Sequence, residues 1–347
     1  MTVMKAVVLS QFGDPSVLEY ASAPMPSAAP NQVLVKVRAC GVCGHDLLAR
    51  RGALSTPRPA VLGHEIAGVI SEVGQEVSTL RVGQRVALVQ RIPCGSCRQC
   101  TAGATNLCRR GPGFYGEDLS GGYGEYVVAS ERNAVPLPES IGDEVGAILS
   151  CAVGTGLRAL RQAALVPGDV VVVTGAGGGV GLNTVKIAAA FGLRVIAVSS
   201  SDHKQTALLQ AGATVVVPSE SVDEIRAAAR SLSGSQGADA AIEIAGTPTF
   251  AASLTALAPG GRLVLVGNTS PSLIEMNPGA IIVRELKILG SAHATRTDLE
   301  EVVRLVADGV VSPIVAETRP LSAVAALHQA MEERTVTGRA VLRVSEQ

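Results

Sequence analysis

A glycine-rich turn between an apolar strand and a helix constrains the fold of this chain more than any other segment. Residues 170–173 are consecutive valines, which is typical of a strand buried on both faces of a parallel sheet. Glycines occupy positions 175, 177, 178, 179 and 181 of the following turn, and a helical pattern covers 180–191. A second apolar strand over 194–198 completes a βαβ unit. Glycines at such a turn let backbone amides approach a pyrophosphate at the helix N-terminus, so the segment predicts a dinucleotide site.

The end of the second strand indicates which dinucleotide binds. A carboxylate there normally bonds the adenosine ribose hydroxyls of NAD(H). This chain instead has Ser199, Ser200 and Ser201, with Lys204 shortly after them. Serine hydroxyls and an ammonium group would bind a 2′-phosphate without like-charge repulsion. We therefore predict that NADP(H) is preferred, while NAD(H) stays possible if Asp202 turns inward.

A run of four cysteines predicts a closed zinc site. Cys94, Cys97, Cys100 and Cys108 form a C-x2-C-x2-C-x7-C pattern, and zinc favours four thiolates in a tetrahedron. No helix or strand pattern runs from Pro93 to Cys108, so the metal itself would order this segment. Disulfides, an iron–sulfur cluster and a nucleic-acid-binding ribbon are the alternatives. The lack of a secretory signal pattern favours reduced thiols, and a net charge of −1 disfavours nucleic acid.

A second, dispersed set of residues predicts an open zinc site. Cys43 lies in Gly-Val-Cys-Gly-His-Asp, His64 and Glu65 follow a glycine, and Cys151 comes much later. Each of these alone is more typical of a core residue than of a ligand. Together, two thiolates and one imidazole make a three-ligand zinc site whose fourth position is open to substrate. Cys40, the remaining cysteine, is expected to be a structural thiol because both sites are complete without it.

These motifs resemble the zinc-dependent medium-chain dehydrogenase/reductase superfamily, in its alcohol dehydrogenase branch, over essentially the whole chain. The matching segments are Gly41-Val42-Cys43, Gly63-His64-Glu65, the four-cysteine run, Cys151 with the Gly-Thr-Gly that follows, and the turn at 175–181. The resemblance implies an α/β fold with a GroES-like β-barrel catalytic domain and a Rossmann doubly wound parallel-sheet domain. We predict the catalytic domain at 1–152 and 291–347 and the Rossmann domain at 153–290, with the active site in the cleft between them.

The resemblance also implies roles for the ligand set. Cys43, His64 and Cys151 would bind a catalytic zinc. Glu65 would approach this metal when substrate is absent, and Asp46 would fix the tautomer and the ring orientation of His64. The four-cysteine run would bind a structural zinc, which makes two zinc ions per chain.

By the same resemblance, the cofactor would contact several turns of the Rossmann domain. The predicted cofactor-binding residues are Thr155, Gly175, Gly178, Gly179, Val180, Gly181, Ser199, Ser200, Lys204, Gly246, Gly267 and Asn268. The glycine spacing is G-x-x-G-x-x-G and not G-x-G-x-x-G, which resembles quinone-reductase-like and acryloyl-CoA-reductase-like relatives. The segments at 246–250, 267–268 and 287–295 resemble the acryloyl-CoA reductases as well.

His45 stands two residues after Cys43, where most relatives carry the Ser or Thr that begins a proton relay. An imidazole titrates near neutral pH and can take an alcohol proton itself. We therefore predict a relay role for His45. The alternative is that His45 only shapes the pocket.

Three functions follow from these motifs. The first is a zinc-dependent alcohol dehydrogenase, or ketone or aldehyde reductase, that transfers hydride between NADP(H) and a zinc-bound alcohol or carbonyl. The second is NADPH-dependent reduction of an activated C=C bond, as in acryloyl-CoA reductases. The third is a non-catalytic NADPH-binding sensor, in which an open zinc site would have no use.

The remaining sequence is typical of a two-domain enzyme with aliphatic cores. Apolar residues make up 47% of the 347 residues but aromatic residues only 2%, so the cores must be Val, Ala, Leu and Ile. Strands are predicted at 5–9, 32–40, 65–73 and 85–89, then at 214–217, 239–244, 262–267 and 287–289. Helices over 298–307 and 324–331 and a strand over 339–344 would return the chain to the catalytic domain.

Partners are expected to be small molecules and further copies of this chain. No apolar stretch reaches the ~18–20 residues that a membrane span needs, and the charges are mixed without long blocks. We therefore expect a cytoplasmic protein with no membrane or nucleic-acid partner and with an alcohol, ketone or aldehyde as substrate. The resemblance implies a homotetramer, or alternatively a dimer, joined edge to edge through a late strand near 287–291.

Overall fold

The computed structural model describes residues 2–269 and 272–345. The strands are β1 (Val3–Leu9), β2 (Leu18–Pro24), β3 (Gln32–Val42), β4 (Ala60–Val61), β5 (Glu65–Val73), β6 (Arg85–Leu88), β7 (Arg91–Ile92), β8 (Gly113–Phe114), β9 (Tyr126–Ser130), β10 (Ala134–Pro136), β11 (Val170–Val173), β12 (Arg194–Ser199), β13 (Val215–Pro218), β14 (Ala238–Glu243), β15 (Leu257–Leu265), β16 (Lys287–Gly290), β17 (Val315–Pro320) and β18 (Arg339–Arg343).

The α-helices lie between these strands. They are α1 (Gly44–Arg51), α2 (Arg98–Thr101), α3 (Asp143–Ile148), α4 (Gly154–Gln162), α5 (Gly179–Ala190), α6 (Gln205–Gln210), α7 (Val222–Ser233), α8 (Phe250–Ala256), α9 (Pro278–Val283), α10 (Arg296–Ala307) and α11 (Val324–Glu332). Short 3₁₀ turns lie at Pro15–Val17, Thr105–Leu107, Asp202–Lys204 and Leu321–Ala323, and a π-helix covers Leu149–Val153. Within the described ranges, no helix is both long enough and apolar enough to cross a membrane.

The chain forms two compact units. Unit 1 comprises the residues up to Gly154, His293–Gly309 and the residues from Ile314 onward, and unit 2 comprises Thr155–Ala292 and Val310–Pro313. The domain limits expected from the sequence, 1–152 with 291–347 and 153–290, stay a prediction. Residues 1, 346 and 347 of the predicted catalytic domain lie outside the described residues.

Unit 2 contains a six-stranded parallel sheet in the order β13-β12-β11-β14-β15-β16. Counted from β11, this is the strand order 3-2-1-4-5-6 of a doubly wound sheet. Strand β11 pairs on both sides, with β12 and β14, and its four valines are buried. Apolar β-branched residues suit such a position, and the predicted doubly wound parallel sheet is confirmed.

Unit 1 is built mostly on antiparallel strands. Its largest sheet has the order β10-β6-β5-β3-β18-β17, with β9 also paired to β3. Two smaller sheets are the three-stranded β2-β1-β4 and the two-stranded β7-β8. The C-terminal strand β18 pairs with the end of β3, where Ala340 lies opposite Val42. This pairing brings residues almost 300 positions apart in sequence to the same point of the sheet.

The differences from the predicted elements are mostly at their ends. Strand β5 matches its prediction, whereas β3 continues two residues past its predicted end and leads directly into α1 at Cys43. Strand β15 begins at Leu257, five residues before its predicted start, because its opening Leu-Ala-Pro-Gly-Gly segment carries no β-branched signal. Seven strands were not predicted: β2, β4, β7, β8, β9, β10 and β17. The residues of β17, for example, alternate only between exposed and half-buried positions at a sheet edge.

Candidate metal centres and cofactor edge

The four-cysteine run forms one candidate metal centre in unit 1. The sulfurs of Cys94, Cys97, Cys100 and Cys108 lie within 4.8 Å of one another. Neighbouring sulfurs are 3.5 Å apart for Cys97 and Cys100, and 3.9 Å apart for Cys94 and Cys100 and for Cys97 and Cys108. Sulfurs about 2.3 Å from a tetrahedral zinc would be about 3.8 Å apart, whereas a disulfide needs about 2.05 Å. The spacing therefore fits a four-thiolate metal site and does not fit disulfides.

Local backbone structure turns these sulfurs toward one another. The one-turn helix α2 places Cys97 and Cys100 on the same side, which the sequence pattern did not predict because four residues are too few for helical periodicity. Backbone amides of Ser96 and Cys97 donate to Cys94 and lower the pKa of its thiol to about 6. A third amide, that of Cys94, donates to the Cys108 sulfur at 3.3 Å. These amides stabilise thiolates, which are the form that binds zinc.

The dispersed residues also converge, in a second group within unit 1. One ligand atom each from Cys43, His64, Glu65 and Cys151 lies within 4.8 Å of the others. The two sulfurs are 4.0 Å apart, which is again the spacing of two thiolates on one zinc ion. Hydrogen bonding to Cys151 lowers the pKa of Cys43 well below its usual value against the effect of burial. Two sulfurs, an imidazole and a carboxylate form a donor set that fits zinc.

Three local structures bring these ligands together. Cys43 is the N-cap residue of α1, and His64 and Glu65 stand at the start of β5. Gly63 has φ +94°, and a side chain there would collide with the Tyr123 ring, so the turn before His64 requires glycine. Cys151 lies in the π-helix, a rare conformation that is often found at functional sites.

Asp46 links the helix cap to the imidazole ligand. One carboxylate oxygen accepts from the backbone amide of Cys43 at 2.8 Å, which caps α1. The other oxygen lies 3.2 Å from Nδ1 of His64. Burial disfavours the charged carboxylate, but His64 outweighs that effect and holds the pKa of Asp46 below its usual value. With Nδ1 facing Asp46, Nε2 of His64 is the nitrogen left to bind a metal.

Glu65 has a partner that the sequence analysis missed. Arg339, at the start of β18, lies 3.0 Å from Glu65 and donates to the carbonyl of Val42 at 2.8 Å. Burial raises the pKa of Glu65 to about 7, although Arg339 acts in the opposite direction. A metal bound by Cys43 and Cys151 would give this carboxylate a second cationic neighbour besides the guanidinium of Arg339. Arg339 gives no local signal in the sequence because its role depends on the pairing of β18 with β3.

His45 lies beside this second group, with its ring centre 5.2 Å from that of His64. Its Nε2 pairs with Glu117, and the two side chains are 28% and 25% exposed. Hydrogen bonding from His45 holds the pKa of Glu117 below its usual value, so this carboxylate is charged at neutral pH. The ring centre of Phe114 lies 5.4 Å from those of His45 and His64 and 4.8 Å from that of His293. Glu117 and His293 were not among the predicted site residues.

The predicted cofactor residues fall mostly at one edge of the parallel sheet in unit 2. The turn at 175–181 follows β11, Ser199 ends β12, Gly246 follows β14, and Gly267 and Asn268 follow β15. The carboxyl ends of neighbouring parallel strands meet at the same edge, where dinucleotides bind in such sheets. The turns after β14 and β15 are in close contact. A Cβ atom added at Gly246 would lie only 2.5 Å from Oδ1 of Asn268.

The glycine turn is closely packed on itself. A Cβ at Gly181 would lie 2.2 Å from the carbonyl oxygen of Gly175, so α5 can start this close to β11 only with glycine there. Lys204 is buried, and its side chain covers Gly177 on the turn. The Ser199 hydroxyl accepts from the Ser201 amide at 3.2 Å. Thr155, the remaining predicted contact, is buried at the start of α4.

These features define a class: an α/β chain with a doubly wound dinucleotide-type sheet, a four-thiolate group and a Cys-His-Cys group with an adjacent carboxylate. The family model for the alcohol dehydrogenase GroES-like domain matches residues 29–139, and that for the zinc-binding dehydrogenase matches 179–308.

Full-length relatives agree with this class. Acryloyl-coenzyme A reductase of Metallosphaera sedula is 33% identical over 98% of this chain and 99% of its own length. The crystal structure of AibC is 42% identical with a TM-score of 0.92, covering 99% of this chain and 96% of AibC. That of an NAD-dependent alcohol dehydrogenase is 34% identical with a TM-score of 0.91, covering 99% and 100%. The chain therefore belongs to the zinc-type medium-chain dehydrogenase/reductase family and is an oxidoreductase. The predicted fold, with a GroES-like and a Rossmann-type domain, is confirmed.

Proposed function

We propose that this protein is a zinc-dependent alcohol dehydrogenase that works as an NADP(H)-linked reductase of ketones or aldehydes. The observation that carries the proposal is the convergence of Cys43, His64, Glu65 and Cys151 within 4.8 Å, with His45 beside them. Zinc at this site would polarise a substrate carbonyl or acidify an alcohol. The nicotinamide would carry the hydride. The four-thiolate group is proposed to hold a second, structural zinc.

The side chains around the site have separable tasks in this proposal. Cys43, His64 and Cys151 hold the metal, and Asp46 keeps the His64 ring in place. Glu65 is the fourth group of the cluster and is proposed to withdraw toward Arg339 when substrate binds. In this proposal Nε2 of His45 carries a proton and donates a hydrogen bond to Glu117. Nδ1 of His45 is then the base that takes or returns the substrate proton.

A second candidate is reduction of a C=C bond conjugated to a thioester, favoured by the 33% identity to acryloyl-coenzyme A reductase. Both reactions use a polarised carbonyl oxygen, and they differ in whether hydride reaches the carbonyl carbon or the β-carbon. The test is one panel: NADPH with simple ketones and aldehydes, and NADPH with acryloyl and other enoyl thioesters, with zinc content measured in parallel. Turnover of enoyl thioesters alone would replace the first proposal by the second.

Replacing His45 is expected to depress turnover and to change the shape of the pH–rate profile, because the proposed proton acceptor is lost. His45→Ala removes the imidazole, and Glu117→Gln keeps it while removing its charged partner. General acid–base groups typically contribute about 10²–10⁴-fold to rate, so a loss in this range is expected for His45→Ala and a smaller one for Glu117→Gln. A pH–rate profile of unchanged shape in His45→Ala would show that His45 only shapes the pocket.

The wild type is expected to show higher kcat/KM with NADP(H) than with NAD(H). Strand β12 ends at Ser199 without a carboxylate, Asp202 is exposed, and the aliphatic stem of Lys204 packs against Gly177 of the glycine turn. Ser199→Asp places a carboxylate where NAD enzymes carry one, and it should shift the preference toward NAD(H) by about tenfold or more, which is about 1.4 kcal/mol. A wild type much more efficient with NAD(H) would overturn the proposed preference.

We also propose a homotetramer, with a dimer as the alternative. Strand β16 is the outer strand of its sheet, so one of its edges has no partner strand within the described residues. The segment before it exposes large apolar side chains, with Leu273 at 100%, Val283 at 85% and Ile282 at 72%. Exposed apolar side chains in the segment that leads into an outer strand support edge-to-edge association of two copies. Light scattering after size exclusion measures the assembly mass.

A further inference from the structure

We propose that Tyr123 and His328 are positioning residues for the Cys43, His64 and Cys151 site. They fix the Asp46 carboxylate in the orientation that holds His64, and they thereby slow the loss of metal from this site. The inference rests on the proposed zinc role of the site. The hydroxyl of Tyr123 and the imidazole of His328 reach the site through the carboxylate of Asp46.

A chain of buried polar contacts runs outward from the imidazole of His64. Nδ1 of His64 lies 3.2 Å from one oxygen of Asp46, and the Tyr123 hydroxyl donates to the other at 3.1 Å. Nε2 of His328 lies 3.2 Å from the same hydroxyl. All four side chains are at most 2% exposed, so water does not compete for these bonds.

The carboxylate of Asp46 determines the proton positions on Tyr123 and His328. Asp46 is a carboxylate and only accepts, so the single proton of the Tyr123 hydroxyl points to Asp46. The hydroxyl oxygen must then accept from His328, which places the His328 proton on Nε2. Nδ1 of His328 is left as an acceptor, and it has no hydrogen-bond partner among the described residues. Burial keeps His328 neutral, since it lowers the pKa of this imidazole to about 4.

The backbone holds Tyr123 beside the ligand turn. The amide of Tyr123 donates to the carbonyl of Leu62 at 2.9 Å, and that of Gly122 donates to the carbonyl of Gly63 at 2.8 Å. The Tyr123 ring also lies over Gly63, the residue before His64. A shift of the tyrosine would therefore move the turn that carries the imidazole ligand.

Helix α11, which carries His328, is tied to the helix that carries Asp46. Glu332, one turn after His328, pairs with Arg50 and, at 2.7 Å, with Arg51, both on α1. Arg50 is fully buried, so its pairing with Glu332 is little affected by solvent. Asp46 and His328, which lie on either side of Tyr123 in this series of contacts, are thus carried by two helices that ion pairs join.

The test measures release of metal in the absence of substrate and cofactor. Zinc-loaded protein is mixed with excess chelator, and the release of the two zinc ions is followed in time; the same variants are loaded with Co²⁺ and their visible absorption spectra are compared. Tyr123→Phe removes only the hydroxyl, His328→Leu removes the outer donor, and His328→Gln keeps a donor. Tyr115→Phe is the matched control, because its buried hydroxyl donates to the Val128 carbonyl and accepts from Asn133, away from Asp46.

Tyr123→Phe is expected to release one of the two zinc ions about tenfold faster, the lower end of what loss of an outer partner of a ligand costs. The Co²⁺ spectrum of that site should change, and the four-thiolate site should be unaffected. His328→Leu should give a smaller effect in the same direction, and His328→Gln should restore the wild-type rate. Tyr115→Phe should match the wild type.

Two results would overturn the inference. Equal release from Tyr123→Phe and Tyr115→Phe would show that the hydroxyl does not position Asp46. Equal acceleration at both zinc sites would show general destabilisation instead. If Tyr123→Phe does not fold, the comparison of His328→Leu with His328→Gln decides in the same way. Failure of the proposed reaction would show itself separately, as a wild type that binds two zinc ions but does not turn over the substrate panel.

Discussion

Serine in place of Cys43 is expected to leave one zinc ion per chain instead of two and to lower kcat/KM about a thousandfold. Cys43 provides one of two sulfurs 4.0 Å apart, and its removal leaves only Cys151 and His64 with the Glu65 carboxylate. Metal polarisation of a carbonyl is worth several kcal/mol, and each 1.4 kcal/mol is about a factor of ten in rate. Zinc content by atomic absorption and steady-state kinetics give the two readouts.

The matched control is Cys97→Ser in the four-thiolate group. This change also removes one zinc ion per chain, but it should lower the midpoint of thermal unfolding while the folded fraction keeps most of its kcat/KM. The reason is that the segment around Cys94 and Cys108 contains only short helical turns, so the proposed structural zinc would be its main source of order. If instead Cys97→Ser abolishes turnover in folded protein and Cys43→Ser does not, the two proposed roles are reversed.

The residues of both converging groups could be picked out from the sequence because they are chemically unusual. Four cysteines within fifteen residues are typical of a metal site and of little else in a chain with reduced thiols, and Cys43, His64 and Cys151 stand out through the motifs around them. The glycine turn and the strand of valines are equally clear, since both the turn and the buried strand restrict residue choice locally. Local restrictions of this kind are what a single sequence shows.

The missed residues act through contacts between distant parts of the chain. Glu117 meets His45 across 72 positions, and His328 meets Tyr123 across 205. A single Glu, Tyr or His in a sequence is more often a surface or core residue than part of a site. The π-helix at Cys151 gave no signal either, because Leu-Ser-Cys-Ala-Val is compatible with an ordinary helix. Only the tertiary fold shows that Glu117 pairs with the imidazole of His45 and that Tyr123 and His328 adjoin the carboxylate of Asp46.

Glu243 is another such residue, and its replacement by alanine is expected to lower the free energy of unfolding of unit 2 by about 4 kcal/mol. This glutamate ends β14 and is fully buried. One carboxylate oxygen accepts from the hydroxyls of Thr174 and Thr249 and from the amide of Gly246, at 2.5, 2.7 and 2.8 Å. The other oxygen accepts from Ser253 at 2.6 Å. Alanine would leave four buried donors without this acceptor, each at a cost of about 1–3 kcal/mol before relaxation.

Glu243→Ala is also expected to weaken cofactor binding by about tenfold or more, equivalent to about 1.4 kcal/mol. Thr174 immediately precedes the glycine turn, and its hydroxyl also accepts from the amide of Ile244 at 2.9 Å. Glu243 thus connects the turn after β11 with the loop after β14 through hydrogen bonds. Both segments contain predicted cofactor-binding residues. Without it, the backbone amides of the turn lose the fixed position that pyrophosphate binding needs. Titration of NADPH fluorescence measures this effect without any substrate.

Glutamine at position 243 separates the loss of charge from the loss of acceptors. Its amide oxygen can take the place of the oxygen that accepts from Thr174, Thr249 and Gly246. Its amide nitrogen would face Ser253, whose hydroxyl can rotate and accept instead of donating. Glu243→Gln should therefore cost only about 1 kcal/mol. Glu220→Ala, at an exposed glutamate of the same unit, should change stability by less than about 0.5 kcal/mol. Thermal unfolding ranks the stabilities of the three variants. An equal loss of stability in Glu243→Gln and Glu243→Ala would show that the fold requires the charge and not the four accepted hydrogen bonds.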